Sequence, residues 1–230
     1  GKPNIWSLIR TQHNEHRLGI GLLINKILAE FTNWDIRAET LSIGIILSIS
    51  CLLILFTKYR LTHRLSIVDL TIPWLIFTLY QWENLVWGFQ ISFVLPLLAL
   101  SLAVYLMTFP VNKHQLIYLI LLAVLASFMS FHGLFVTLLI AGYFFCYRLN
   151  LIGLASLLPI VYYFLNFQPV PYYGLRYFDW VFIIKFIIIA TNSVVGITSL
   201  KLTSLLMPAF ILGAFVVTLR RRHYPILALF

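Results

Sequence analysis

From residue 41 onward, long apolar runs follow one another with only short polar connections, and this constrains the fold more than any other feature of the chain. A helix needs about 17–25 mostly apolar residues to cross a bilayer, somewhat fewer if its flanking residues snorkel. A crossing segment must also satisfy its own backbone hydrogen bonds. The runs are Leu41–Thr57, Ile67–Tyr80 (extending to about Asn84), Ile91–Phe109, Leu116–Ser130, Leu134–Tyr147, Leu151–Phe167, Trp180–Ile197 and Leu205–Leu219. Charged residues make up 10% of the chain, against about 25% in a soluble domain. The expected fold is all-α, a polytopic transmembrane helix bundle.

The net charge of +9 follows the same logic. Its positive residues lie in short clusters between the runs: Lys58, Arg60 and Arg64, then Lys113, then Arg148, then Arg220, Arg221 and Arg222. That is the pattern of topology signals, and no nucleic-acid partner is expected. By the positive-inside rule these connections face the cytoplasm and residues 1–39 face the other side. Most acids fall on that other side: Glu15, Glu30, Asp35 and Glu39 before the first span, Glu83 after the second, and Asp179 after the sixth. Asp69 is the exception, and Arg64 is expected to neutralise it. Strict alternation would put Arg220–Arg222 outside, so Trp180–Ile197, with Lys185 and the break at Thr191-Asn192-Ser193, is read as interfacial or re-entrant. Cys51 and Cys146 show neither pairing nor metal spacing and read as packing residues.

Residues 1–39 form an expected outer loop with a surface helix, and residues 40–230 the bundle. The chain reads as a fragment, with the first span and the C-terminal part missing. Arg17–Phe31 is apolar but interrupted by Arg17, Asn25, Lys26 and Glu30, and weakened as an isolated helix by Gly19 and Gly21. It is expected to lie amphipathically on the outer membrane surface. Asn33-Trp34-Asp35 ends it, with Trp34 as an interfacial anchor.

Strongly polar stretches are costly in lipid and therefore point to water or chemistry. The densest is Thr11-Gln-His-Asn-Glu-His-Arg17. A carboxylate (Glu15) flanked by two imidazoles (His13, His16) and a guanidinium (Arg17) can take a proton from a hydroxyl while cations hold a phosphate. If the stretch were helical, His13, His16 and Arg17 would share a face and Glu15 would point about 100–200° away from the histidines. A divalent-metal site is therefore not favoured, and a solvated loop with Asn14 as N-cap is the plain alternative. In Gln81–Gln90, Glu83, Trp87 and Gln90 would align on a helix and form a sugar-binding wall, or the aromatic residues would simply belt the interface. His132 sits in a tight outer turn facing the cavity. Arg176, in the aromatic loop Gln168–Asp179, could clamp a lipid phosphate, or pair with Asp179 or lipid headgroups.

No Walker sequence, Gly-rich dinucleotide loop, G-x-S-x-G or CxxC is present. Charges deep within the spans are nearly absent, which argues against an ion-coupled transporter.

The strings His-Asn-Glu-His-Arg, Trp-Asp-Ile-Arg-Ala-Glu and Trp-Glu-Asn-Leu-Val-Trp-Gly-Phe-Gln together resemble a group of bacterial polytopic proteins placed with the GT-C membrane glycosyltransferases. The resemblance covers most of residues 6–220. It implies an inverting enzyme in the bacterial cytoplasmic membrane. Such an enzyme moves a sugar from a polyprenyl-phosphate donor to a glycan or lipid acceptor on the outer face, with no free nucleotide. In that frame Glu15 would be the loop carboxylate that activates the acceptor hydroxyl, with His13, His16 or Arg17 near the departing phosphate. The superfamily often carries an Asp just after its first span. No such span precedes Glu15 here, so the base would otherwise lie upstream and Glu15 would assist. The rival readings are a non-catalytic transporter or flippase, and an envelope-assembly subunit.

Overall fold

A computed structural model of the chain describes residues 4–14, 16–78, 85–165 and 167–168, and eight α-helices account for most of them. Asn4 starts the first, α1 (Ile5–Arg10), by accepting the Ser7 amide at 2.8 Å. Two short strands, β1 (Gln12–His13) and β2 (His16–Arg17), follow. The amphipathic stretch is helix α2 (Gly19–Thr32). No side chain caps its start, and the Phe128 carbonyl takes the Ile20 amide at 3.0 Å instead, which fills one of the donor vacancies every helix start leaves.

Asn33 ends α2 in the left-handed conformation, at φ 52°. Trp34 follows at φ 65°, and Asp35 caps α3 (Ile36–Thr62) through the Arg37 amide. Asparagine tolerates that region and tryptophan does not, so the Asn33-Trp34-Asp35 stop is a forced reversal. The remaining helices are α4 (Thr71–Ile76), α5 (Ile91–Met107), α6 (Lys113–Ala126), α7 (Gly133–Cys146) and α8 (Asn150–Phe164).

Five predicted spans therefore coincide with α3, α5, α6, α7 and α8. The stretch Ile67–Tyr80 does not form one helix. It opens with a 3-10 turn, Ile67–Leu70, before the six residues of α4. Asp69 is the cause. Its carboxylate turns back to accept the Ser66 amide at 2.6 Å and pairs with Lys58. The expected Arg64 partner is thus replaced: α3 continues through Lys58 to Thr62, while Arg64 lies beyond the left-handed cap His63.

Two helical stretches, Ile36–Thr62 and Gly88–Met107, are long and apolar enough to cross a membrane. The other apolar helices run 10–17 residues. α3 packs chiefly on α5, and α7 on α6 and α8. Buried positions on α5 include Ser92, Ala99, Ser101 and Ala103, small side chains that let helices approach closely. Between α6 and α7 the buried Ser127 and Thr137 hydroxyls lie 3.0 Å apart, and Thr137 also donates to the Ala123 carbonyl at 2.9 Å. Outer faces are apolar too. α3 exposes Leu41, Ile45, Ile49, Leu52 and Phe56, and α8 exposes Leu151, Leu154, Leu158 and Val161. A helix between core and water would carry polar residues there. Trp180–Ile197, Leu205–Leu219 and Arg220–Arg222 lie outside the described residues.

Candidate functional site

The Gln12–Arg17 segment is a hairpin, not a helix. Gln12 pairs with Arg17 and His13 with His16 in antiparallel register. Only Asn14 and Glu15 separate the strands, and Asn14 takes φ 52°, which a two-residue hairpin loop demands and asparagine supplies. This overturns the shared helical face for His13, His16 and Arg17, and the role of Asn14 as an N-cap. The histidines are instead direct cross-strand neighbours. Glu15, Glu83 and Arg176 lie outside the described residues.

The hairpin is held from the far end of the described chain. The Gln12 side-chain amide donates to the Gln168 carbonyl at 2.6 Å and accepts the Gln168 amide at 3.1 Å. Arg17 is buried, and three of its guanidinium nitrogens donate to backbone carbonyls: Nε to Tyr163 at 2.7 Å, one Nη to Arg10 at 2.9 Å and the other to Leu165 at 2.7 Å. The carbonyls of Tyr163 and Leu165 belong to the end of α8, where helix carbonyls lack intrahelical partners. Arg17 is thus first a structural clamp. Arg10 donates Nε to the Tyr162 hydroxyl at 2.7 Å, and its guanidinium carbon lies 5.7 Å from that ring's centroid. Arg10, Arg17, Tyr162 and Leu165 line a cavity of about 240 Å³. Two cations and no carboxylate face it among these residues.

The imidazoles meet an aromatic row. His13 packs edge-on against Phe89, with centroids 5.3 Å apart, and His16 packs edge-on against Phe93 at 5.0 Å. His16 also stacks on His132 at 5.8 Å and 14° between planes. The turn histidine predicted to face the cavity therefore joins the hairpin histidines across 116 residues. His16 Nδ1 accepts the Phe131 amide at 3.3 Å, so that nitrogen carries the lone pair. Trp87 continues the row, 5.6 Å from Phe89.

Trp87 and Gln90 do not share a helical face. Trp87 is extended, and Gly88–Gln90 is a 3-10 turn. The break follows from Gly88, whose missing side chain leaves room for the Glu39 carboxyl. Phe93 and Arg10 were not singled out in the sequence, and Phe89 was read only among the interfacial aromatic residues. The spacing Phe89 to Phe93, four residues apart at a helix start, is the signal that would have linked them. Among the described residues no three His, Cys, Asp or Glu side chains gather as a metal site.

Comparison with known protein families, with characterised proteins and with solved structures finds no match to this chain.

Proposed function

We propose that this chain belongs to a multi-pass membrane glycosyltransferase of the GT-C kind. Its substrates are a polyprenyl-phosphate sugar and a glycan or lipid acceptor on the outer face of a bacterial cytoplasmic membrane. The observation that carries the reading is the cavity lined by Arg10 and Arg17. Neither cation forms an ion pair with a carboxylate among the described residues. Arg17 has three of its donors committed, so the Arg10 terminal nitrogens are the ones open to a phosphate oxygen. Apolar helix exteriors and two helices of crossing length agree with a lipid-borne substrate.

In the reaction the acceptor oxygen bonds to the anomeric carbon as the bond from that carbon to the phosphate oxygen breaks. The electron pair leaves on the lipid phosphate, where the guanidinium stabilises it. The hydroxyl proton passes to a base, and Glu15 occupies that role by the resemblance. In sequence Glu15 lies between His13 and His16, whose imidazoles are cross-strand neighbours and offer further proton-transfer groups. The test reconstitutes the full-length protein in lipid with radiolabelled polyprenyl-phosphate sugars and a membrane extract. Wild type consumes donor, Glu15→Gln does not, and Arg10→Gln is slowed at least about 100-fold. No donor consumption by wild type, with a positive-control transferase active in the same extract, rejects the transferase.

A further inference from the structure

A second opening, of about 590 Å³, lies between α2, the start of α3 and the Trp87–Phe89 segment. That volume is in the range of small-ligand sites. Trp34 and Trp87 line it, and Asn25, Lys26, Glu30 and Glu39 supply its polar groups. Two of these groups already have partners. Lys26 Nζ lies 3.8 Å from the Glu30 carboxylate, and Asn25 Nδ2 donates to the Gly88 carbonyl at 3.2 Å.

Among the described residues, two acceptors lack a partner. Asn25 Oδ1 is fully buried with no hydrogen-bond partner, a state buried polar atoms rarely occupy. Glu39 has neither ion pair nor hydrogen bond among the described residues. Its carboxylate stands in the first turn of α3, where the helix dipole favours negative charge. Counting Lys26 against Glu30 leaves one net negative charge. Indoles beside an unpaired carboxylate recognise a cation that donates hydrogen bonds. Trp34 is set on this wall while 81% exposed and in a left-handed backbone that tryptophan rarely adopts.

We infer that this cleft binds a ligand through a protonated amine, with Glu39 as its counter-ion and Trp34 and Trp87 as its walls. The cleft shares Trp87 and Phe89 with the aromatic row beside the histidines, but amine binding there depends on neither the Arg10 cavity nor the transferase reading. An amine of this kind reaches a membrane surface on an ethanolamine lipid headgroup or on an amino sugar.

The full chain, held in phosphatidylglycerol nanodiscs, is titrated by calorimetry with short-chain phosphatidylethanolamine and with glucosamine. The N-acetylated form of each serves as its control. At least one amine binds saturably, its N-acetyl form binds at least ten-fold more weakly, and the amine that binds identifies the source. Glu39→Gln weakens that amine at least ten-fold, whereas Lys26→Gln, which removes a like charge from the cleft, does not weaken it. Absence of binding by both amines, equal binding of an amine and its N-acetyl form, or unchanged affinity in a folded Glu39→Gln protein each overturns the assignment. The wild-type comparison decides the matter even if Glu39→Gln fails to fold.

Discussion

The buried Arg17 guanidinium donates to the Tyr163 carbonyl at 2.7 Å, and the Tyr163 hydroxyl accepts the Arg17 amide at 3.2 Å. Two residues 146 positions apart therefore clasp each other through main chain and side chain at once. Arg17→Met strips the guanidinium from three carbonyls and should lower stability by about 3 kcal/mol, read by thermal unfolding in detergent. Arg17→Lys should fall between, because one ammonium cannot copy the planar fork. Equal stability of wild type and Arg17→Met would show that the clasp contributes nothing.

The stacked pair His16–His132 gives a second test. His16→Phe keeps an aromatic ring but removes the acceptor of the Phe131 amide, so stability should fall by about 1 kcal/mol. Under the proposed function, turnover should fall far more, by at least about 100-fold. A turnover loss no larger than the stability loss explains would leave His16 a packing residue.

Glycine substitutions should separate by what a methyl group would meet. At Gly19 it would strike the Ile9 backbone, and at Gly21 the backbone and side chain of Ser92 on α5. At Gly44, in the interior of α3, nothing lies within 4 Å. Gly19→Ala and Gly21→Ala should each destabilise by about 1–3 kcal/mol. Gly44→Ala should stabilise by about 0.5–1 kcal/mol through helix propensity. Denaturation midpoints of the three single variants check the order.

Asp69 predicts an acid dependence. The hydrogen bond from Lys58 and the Ser66 amide hold its carboxyl below the usual aspartate range. A depressed native pKa gives stability that is fully present above the unfolded-state value, near 3.9, and lost as pH falls from there through the native value. The melting temperatures of wild type and Asp69→Asn should differ at pH 7 and converge below about pH 4. A constant gap across that range would remove Asp69 as the cause.

Long-range order was legible where hydrophobic length decided it. The runs at Leu41, Ile91, Leu116, Leu134 and Leu151 each became a helix, the form in which a single apolar segment satisfies its own backbone hydrogen bonds. The hairpin was not legible, since two residues per strand are too few for any periodicity to register. Gly19 and Gly21 read as weak points of α2 and turn out to be its contact surface, a fact held by Ile9 and Ser92 rather than by α2 itself. The histidine cluster was visible by its density. His132 was read only as a separate turn residue facing the cavity, and its stacking on His16, like the contact with Phe93, was not legible, because the chain brings residues 93 and 132 there only after folding back.

The doubled amide contact between Gln12 and Gln168 also sets a clock on synthesis. A ribosome adding about 5–20 residues per second needs roughly 8–30 s to travel the 156 positions between them. For that interval the hairpin has emerged without the backbone that will hold Gln12, and without Tyr163 and Leu165 for Arg17. His13 and His16 are thus made well before the residues that fasten their hairpin. A nascent chain stopped before Tyr163 would carry its helices without a finished site.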